Sequence, residues 1–240
     1  MAIVRAANHV EEYRARASLP DIAAMSSRPA ETNREVAQAI VPVLGLSHND
    51  VVADVGCGDG SLIRLIADSV RLAIGFNPTA EEIARLKAAY PSLDFREGLA
   101  ECLPLADKSV SKLVCNGVIM ALNSEENVAQ ALREFVRVTS TLVYIGEVPH
   151  VAVERTYDNS SVSAWLTSLF RNGGAKSFAA GIRDLCKAIA GKERLIFYPE
   201  NWLWFAPEHF IEIASGCELE LVEMRTTPHC AERTDYLFRV

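Results

Sequence analysis

The stretch from Val51 to Gly60, VVADVGCGDG, constrains what this chain can fold into more than any other. A β-branched apolar run stops at closely spaced glycines, and SLIRLIADSVRL follows with apolar residues at 62, 65, 66 and 70, the spacing of a helix. Strand, sharp turn and helix are predicted in immediate succession. Glycines at such a turn allow backbone conformations closed to other residues and leave no Cβ between the chain and a ligand, while the following helix offers its first amides to negative charge.

The unit repeats. LAIGF at 72–76 is followed by Thr79 and Glu82, a T-x-x-E capping box, and by a helix whose apolar face is Ile83, Leu86 and Tyr90. LDFREG at 93–98 and KLVCNG at 112–117 read as further strands. Asn123 with Glu126 is predicted to cap a helix showing Val128, Ala131, Leu132, Phe135 and Val136 on one face, and TLVYIGE at 141–147 reads as a fifth strand. LELVEM and DYLFRV close the chain after a helix near 207–214. Strands alternating with helices, and apolar on both faces, imply an α/β fold with a mostly parallel sheet covered by helices on both faces. Ligands of such sheets bind beyond the carboxyl ends of the strands, at the switch point.

With 240 residues, half of them apolar and 23% charged, the chain suits one large α/β domain. The expected parts are a helical cover at 1–47 punctuated by Pro20, Pro29 and Pro42, a ligand-binding half at 51–147, a cap insertion at 150–205, and a closing helix and strands at 206–240. The net charge of −7 disfavours nucleic acid, whose sequence-independent affinity comes from Lys and Arg neutralising phosphates. No run reaches the ~18 apolar residues of a membrane span, and the amino terminus carries Glu11, Glu12 and Arg14 in place of an apolar h-region, so a cytoplasmic location is expected. The six cysteines show no CxxC pair and no zinc spacing, and are expected to be reduced and mostly buried, with no metal.

The D-x-G-x-G-x-G pattern from Asp54 to Gly60 resembles motif I of the class I S-adenosylmethionine-dependent methyltransferases. GFNPTAEEI at 75–83 resembles that family's second-strand end, EGLAECLPLADKSV at 97–110 its G-D-A-x-x-L-P-F-x-D-x-S-F stretch, and VCNGVIMALN at 114–123 its fourth-strand end. FAPEHFIEIASGCELELVEM resembles its closing helix and strand. The resemblance implies a Rossmann-like seven-stranded, mostly parallel sheet with an antiparallel closing strand. It also implies S-adenosylmethionine as cofactor and methyl transfer to O, N or C of a small metabolite. Carried over by position, Asp54, Gly56, Gly58, Asn116 and Gly117 would face the methionine end. Asn77 would meet the ribose, and Pro78, Ala100 and Glu101 would lie at the adenine edge.

Three positions depart from the family. Asn77 stands where an acid usually accepts from the ribose hydroxyls, Leu99 where an Asp lies near the adenine amino group, and Ser111 where a further acid follows D-x-S. An amide oxygen accepts without the charge assistance that roughly doubles such a bond. A non-catalytic member of the fold with altered cofactor binding is therefore the alternative, and a nicotinamide oxidoreductase a third reading, disfavoured by Ser61 at the third glycine position. Where the acceptor must lose a proton, His150, just beyond the fifth strand, is the candidate base, ahead of His209. Tyr13 is a candidate cover. Trp165, Phe170, Trp202, Trp204 and Phe205 concentrate aromatic area at 150–205, read as an acceptor pocket, a satellite core or a homodimer contact.

Overall fold

The computed structural model describes residues 3–5, 9–18, 22, 30–150, 161–190, 195–197, 203–228 and 230–240. In chain order these form β1 (Ile3–Arg5), α1 (His9–Ala17), α2 (Ala30–Leu44), β2 (Val51–Val55), α3 (Ser61–Ile66), β3 (Leu72–Asn77), α4 (Ala80–Ala89), β4 (Asp94–Glu97) and β5 (Val110–Asn116). There follow α5 (Glu125–Val138), β6 (Thr139–Pro149), α6 (Val162–Ile189), β7 (Leu195–Phe197), α7 (Pro207–Gly216), β8 (Glu220–Thr227) and β9 (Cys230–Arg239).

Seven strands make one sheet in the order β4-β3-β2-β5-β6-β9-β8. Pairings from β4 to β6 are parallel, and β9 runs antiparallel to both β6 and β8, so it is the single reversed strand of the expected architecture. Successive side chains of a strand face opposite sides, and β2 shows the result. Val51, Ala53 and Val55 pack with Leu132, Phe135 and Phe210 from α5 and α7, whereas Val52 packs with Ile40, Leu44, Ile63 and Ile66 from α2 and α3. Asp54 shares the side of Val52. The strand order reverses between β2 and β5, which opens a crevice there at the carboxyl ends.

The structure also departs from the sequence expectations. Ser124, not Asn123, caps α5, its hydroxyl accepting from the Asn127 amide, while Asn123 adopts a left-handed φ of 64° just before it. Within the helical cover, Ile3–Arg5 forms a strand paired in parallel with Leu195–Phe197, a partner too distant for any local pattern to show. Three cysteines are buried (Cys57, Cys115, Cys217), Cys102 and Cys186 are exposed, and all six are unpaired, so burial holds for half of them.

Nominally one helix, α6 is two arms. Its helical backbone breaks at Gly174 (φ 63°, ψ −159°). A straight helix would separate Phe170 from Phe178 by about 12 Å along its axis, yet their rings meet edge to face with centroids 6.0 Å apart. A Cβ on Gly181 would stand 2.5 Å from Leu169 and 3.1 Å from Leu166, so the absence of a side chain there lets the arms pack closely. The Gly173-Gly174 pair is therefore the turn of an αα-hairpin.

Candidate functional site

The turn after β2 is built from glycines in left-handed backbone, with φ of 75° at Gly56, 54° at Gly58 and 77° at Gly60. A side chain at Gly56 would place its Cβ 2.3 Å from Val118 Cγ2, so this position tolerates glycine on two counts. The amides of Gly56 and Cys57 both donate to the Phe76 carbonyl, at 2.8 and 2.9 Å, which ties the loop to the end of β3. Asn77 completes the tie. Its Oδ1 accepts from the Gly58 amide at 3.0 Å and its Nδ2 donates to the Gly58 carbonyl at 3.0 Å, so one buried carboxamide grips both polar groups of that residue.

The loop forms one wall of a cavity of about 370 Å³ at the crevice. Val10 and Tyr13 of α1 and Asn33, Val36, Ala37 and Ile40 of α2 make a second wall. Asn77, Pro78, Glu82 and the 98–101 turn bound it on the β3 side, and Asn116 to Val118 with Ala121 to Asn123 on the β5 side. Four acids line it, Asp54, Asp59, Glu82 and Glu101, and no Lys, Arg or His is among the described lining residues.

Burial tunes these acids. Asp54, 4% exposed, is pushed up to about 7 by loss of solvent and then by the charge of Asp59. Glu82, 1% exposed, is likewise raised to about 7 by burial, against the opposing effect of the Thr79 hydroxyl, which donates to its Oε2 at 2.7 Å. Asp59 accepts from the Asn33 side chain at 3.1 Å and, through Oδ1, from the Ser61 amide at 3.1 Å. The first amide of α3 is thus occupied by the chain's own carboxylate. Together with the shortness of α3, this makes the turn unlike a phosphate cradle and suited to a cationic group. Burial, then Asp54, raise the Cys57 thiol well above its usual range, so it stays protonated.

Asp54, Gly56, Gly58, Asn77, Pro78, Ala100, Glu101, Asn116 and Gly117 all line this one cavity, although they come from four separate stretches of chain. Tyr13 lines it too. His150 is not among the described lining residues; it lies at the end of β6, where its amide donates to the Glu232 carbonyl and it bridges to Phe205. His209 is remote as well, its Nε2 3.0 Å from Glu125 Oε1 on the α7 surface.

Of the three departures, only Asn77 and Leu99 belong to the cavity. Ser111 sits at the opposite, amino end of β5, where its hydroxyl bonds Asp50 at 2.7 Å beside the Asp50–Lys112 ion pair of 2.8 Å. It is a strand-end fastening and takes nothing from the site.

Sequence reading missed Glu82 as a site residue. The T-x-x-E pattern identified it as a capping residue, and its carboxylate does meet the Thr79 hydroxyl, but the same side chain also faces the cavity. The available signal was an acid on the apolar face of an amphipathic helix, one residue before Ile83. Among the aromatics, Phe205 is core, packed on Phe210 at 5.3 Å between ring centroids, Trp165 and Trp204 are half-buried, Phe170 is exposed, and Trp202 lies outside the described residues.

Comparisons with known proteins point the same way. Residues 53–142 match the family model described as a methyltransferase domain. A probable S-adenosylmethionine-dependent methyltransferase of Mycolicibacterium smegmatis is 41% identical over 63 residues, 26% of this chain and 24% of that protein. A demethylmenaquinone methyltransferase of Chlorobaculum parvum is 33% identical over 88 residues, 36% of this chain and 35% of that one. These matches span between a quarter and about a third of the relatives' own length. Among solved structures, a phosphoethanolamine N-methyltransferase of Haemonchus contortus, in complex with phosphoethanolamine and S-adenosylhomocysteine, superposes with a TM-score of 0.65 at 13% identity. The superposition covers 95% of this chain and 47% of that one, and shows a shared fold. Residues 53–142 therefore resemble a methyltransferase domain, set within a fold that the chain shares with solved methyltransferases.

Proposed function

We propose that this protein transfers a methyl group from S-adenosylmethionine to an O, N or C atom of a small, partly apolar acceptor. The observation that carries the reading is the acid-lined cavity at the switch point of the sheet, with no Lys, Arg or His among its described lining residues. The residues fit the cofactor's chemistry. Asp54 and Asp59 offer negative charge for a sulfonium and an ammonium, the glycine loop allows close approach, and Pro78, Leu99 and Ala100 offer apolar contact at the adenine edge, with Glu101 beside them.

When bound, S-adenosylmethionine supplies a methyl group on a good leaving group, so alignment contributes most of what the protein must add. Asn116 and Gly117 sit where they can hold that alignment on the β5 side. The side chain of Asn116 is itself oriented, donating to Glu147 Oε1 at 3.2 Å while Glu147 is paired with Arg233 at 2.5 Å. A carboxylate can only accept, so Asn116 turns its amide nitrogen to Glu147.

Asn77 does not serve the ribose in this reading, because its amide already grips Gly58. Glu82 takes that place. It lines the cavity beside Asn77, and Thr79 engages only one of its oxygens. A non-catalytic reading leaned on the missing acid at Asn77, and Glu82 answers it from the next element.

The acceptor side is assigned to the segment 150–205. Its end is fastened to the cavity rim, the Leu203 amide donating to the Met120 carbonyl at 2.9 Å next to Ala121. His150 is kept as the base for acceptors that must lose a proton, a role that requires the acceptor to extend from the cavity toward the end of β6.

Thermal-shift titration with S-adenosylmethionine, S-adenosylhomocysteine and NADH tests the reading. Stabilisation by the first two and not by NADH is expected. Stabilisation by NADH alone, or by none of the three, would overturn it.

A further inference from the structure

The tip of the α6 hairpin carries a combination that neither the fold nor the cavity uses. Phe170 is 56% exposed and Phe178 37%, one on each arm beside the turn, and Ile182 extends the apolar strip one helical turn along the second arm. Arg171 and Lys176 flank the turn, both exposed and without an ion pair among the described residues. From Ser161 to Arg183 the sequence holds three cations and no acid, in a chain whose net charge is −7.

We propose that this hairpin tip is a docking surface for an anionic lipid bilayer. Two aromatic rings beside two unpaired cations match a water–membrane interface, where rings enter the headgroup boundary and cations meet lipid phosphates. The local charge is opposite in sign to that of the molecule as a whole, so it orients the tip, and not the acid-lined cavity, toward a negative surface. A second copy fits less well. A symmetric contact sets the same patch against itself and brings like charges of Arg171 and Lys176 together around the rings. The attachment proposed is through the hairpin tip; no helix among the described residues is long and apolar enough to cross a membrane.

The proposal is independent of methyl transfer, and its test needs no cofactor. The 240-residue protein is sedimented with vesicles of phosphatidylcholine alone and of phosphatidylcholine with a quarter phosphatidylglycerol. Binding to the anionic vesicles only, weakened by raised salt, is expected. Arg171→Ser with Lys176→Ser should weaken it about 25-fold, at about fivefold per cation, and Phe170→Ser with Phe178→Ser at least as much. Far-ultraviolet circular dichroism and the melting temperature of both variants check that the fold persists. Equal binding to neutral vesicles, no binding to either, or unchanged binding by both double variants would overturn the proposal. So would a wild-type dimer that the phenylalanine variant converts to monomer without vesicles.

Discussion

At the residue scale the site turns on two side chains whose roles differ from what their positions suggest. Asn77 holds Gly58 through one donated and one accepted hydrogen bond. Restoring the acid usual in the family would therefore harm this chain. Asn77→Asp keeps the accepting oxygen but sets a carboxylate oxygen against the Gly58 carbonyl, and a loss of about 1–3 kcal/mol is expected, read by chemical denaturation. Glu82 gives a prediction with a pH signature. Its folded pKa, raised to about 7, lies above the ordinary glutamate value, so folding favours the protonated form and stability of the free protein falls as pH climbs from about 4 toward 7. Glu82→Gln removes that penalty. At pH 8 the variant should be about 3 kcal/mol more stable than wild type, with the difference closing near pH 4. It should also bind S-adenosylhomocysteine about tenfold more weakly, since a charged acceptor is lost. Equal stability at pH 8 would remove Glu82 from the buried acids. Gly58→Leu should weaken binding, because φ of 54° is strained for leucine and its side chain would stand on a loop that walls the cavity. The glycines and Asp54 were legible from sequence because a strand and a helix bracket them. The grip of Asn77 and the cavity-facing side of Glu82 were not, since each depends on how β3 and α4 lie against the loop.

At the element scale the strands from β2 to β6 were legible because each is a short apolar run ending at a turn residue or a cap. The exceptions have physical reasons. Three-residue β1 and β7 carry no period to read and exist through each other. The α6 hairpin hides inside a sequence with weak amphipathic contrast, and its turn is marked only by Asn172-Gly173-Gly174. Gly181→Val tests the hairpin as a unit. The added Cβ meets Leu169 at 2.5 Å, and a cost of about 1–3 kcal/mol from overpacking is expected. Hydrogen exchange should show lost protection in 162–189 with protection of β2, β3 and β5 unchanged. Loss spread evenly over the sheet would show that the hairpin is not a separate unit. At the far end of the sheet, the Ser47–Asp50–Ser111–Lys112 cluster fastens β2 to β5. Burial pushes the Asp50 carboxyl up, but Lys112, Ser111 and Ser47 together outweigh it and hold it down to about 2. Its contribution to stability is present above about pH 4 and lost as pH falls toward 2.

At the scale of the whole molecule two surfaces differ in charge and apolar character. The carboxyl ends of β2, β3 and β5 hold a buried, acid-lined cavity, while the α6 tip presents rings and cations to solvent. A net charge of −7 thus has a distribution that matters more than its sum. The same arrangement links cofactor charge to pH. Asp54 and Glu82 both sit near 7 in the free protein, and a bound sulfonium favours their ionised forms. Binding of the cationic S-adenosylmethionine should strengthen from pH 6 to pH 8 relative to its neutral-sulfur product. Calorimetric titration of the full chain with both compounds at those two pH values tests the central claim most directly. Saturable one-to-one binding is predicted, with the preference for S-adenosylmethionine over S-adenosylhomocysteine rising at pH 8. Absence of heat at millimolar ligand at both pH values would contradict the account.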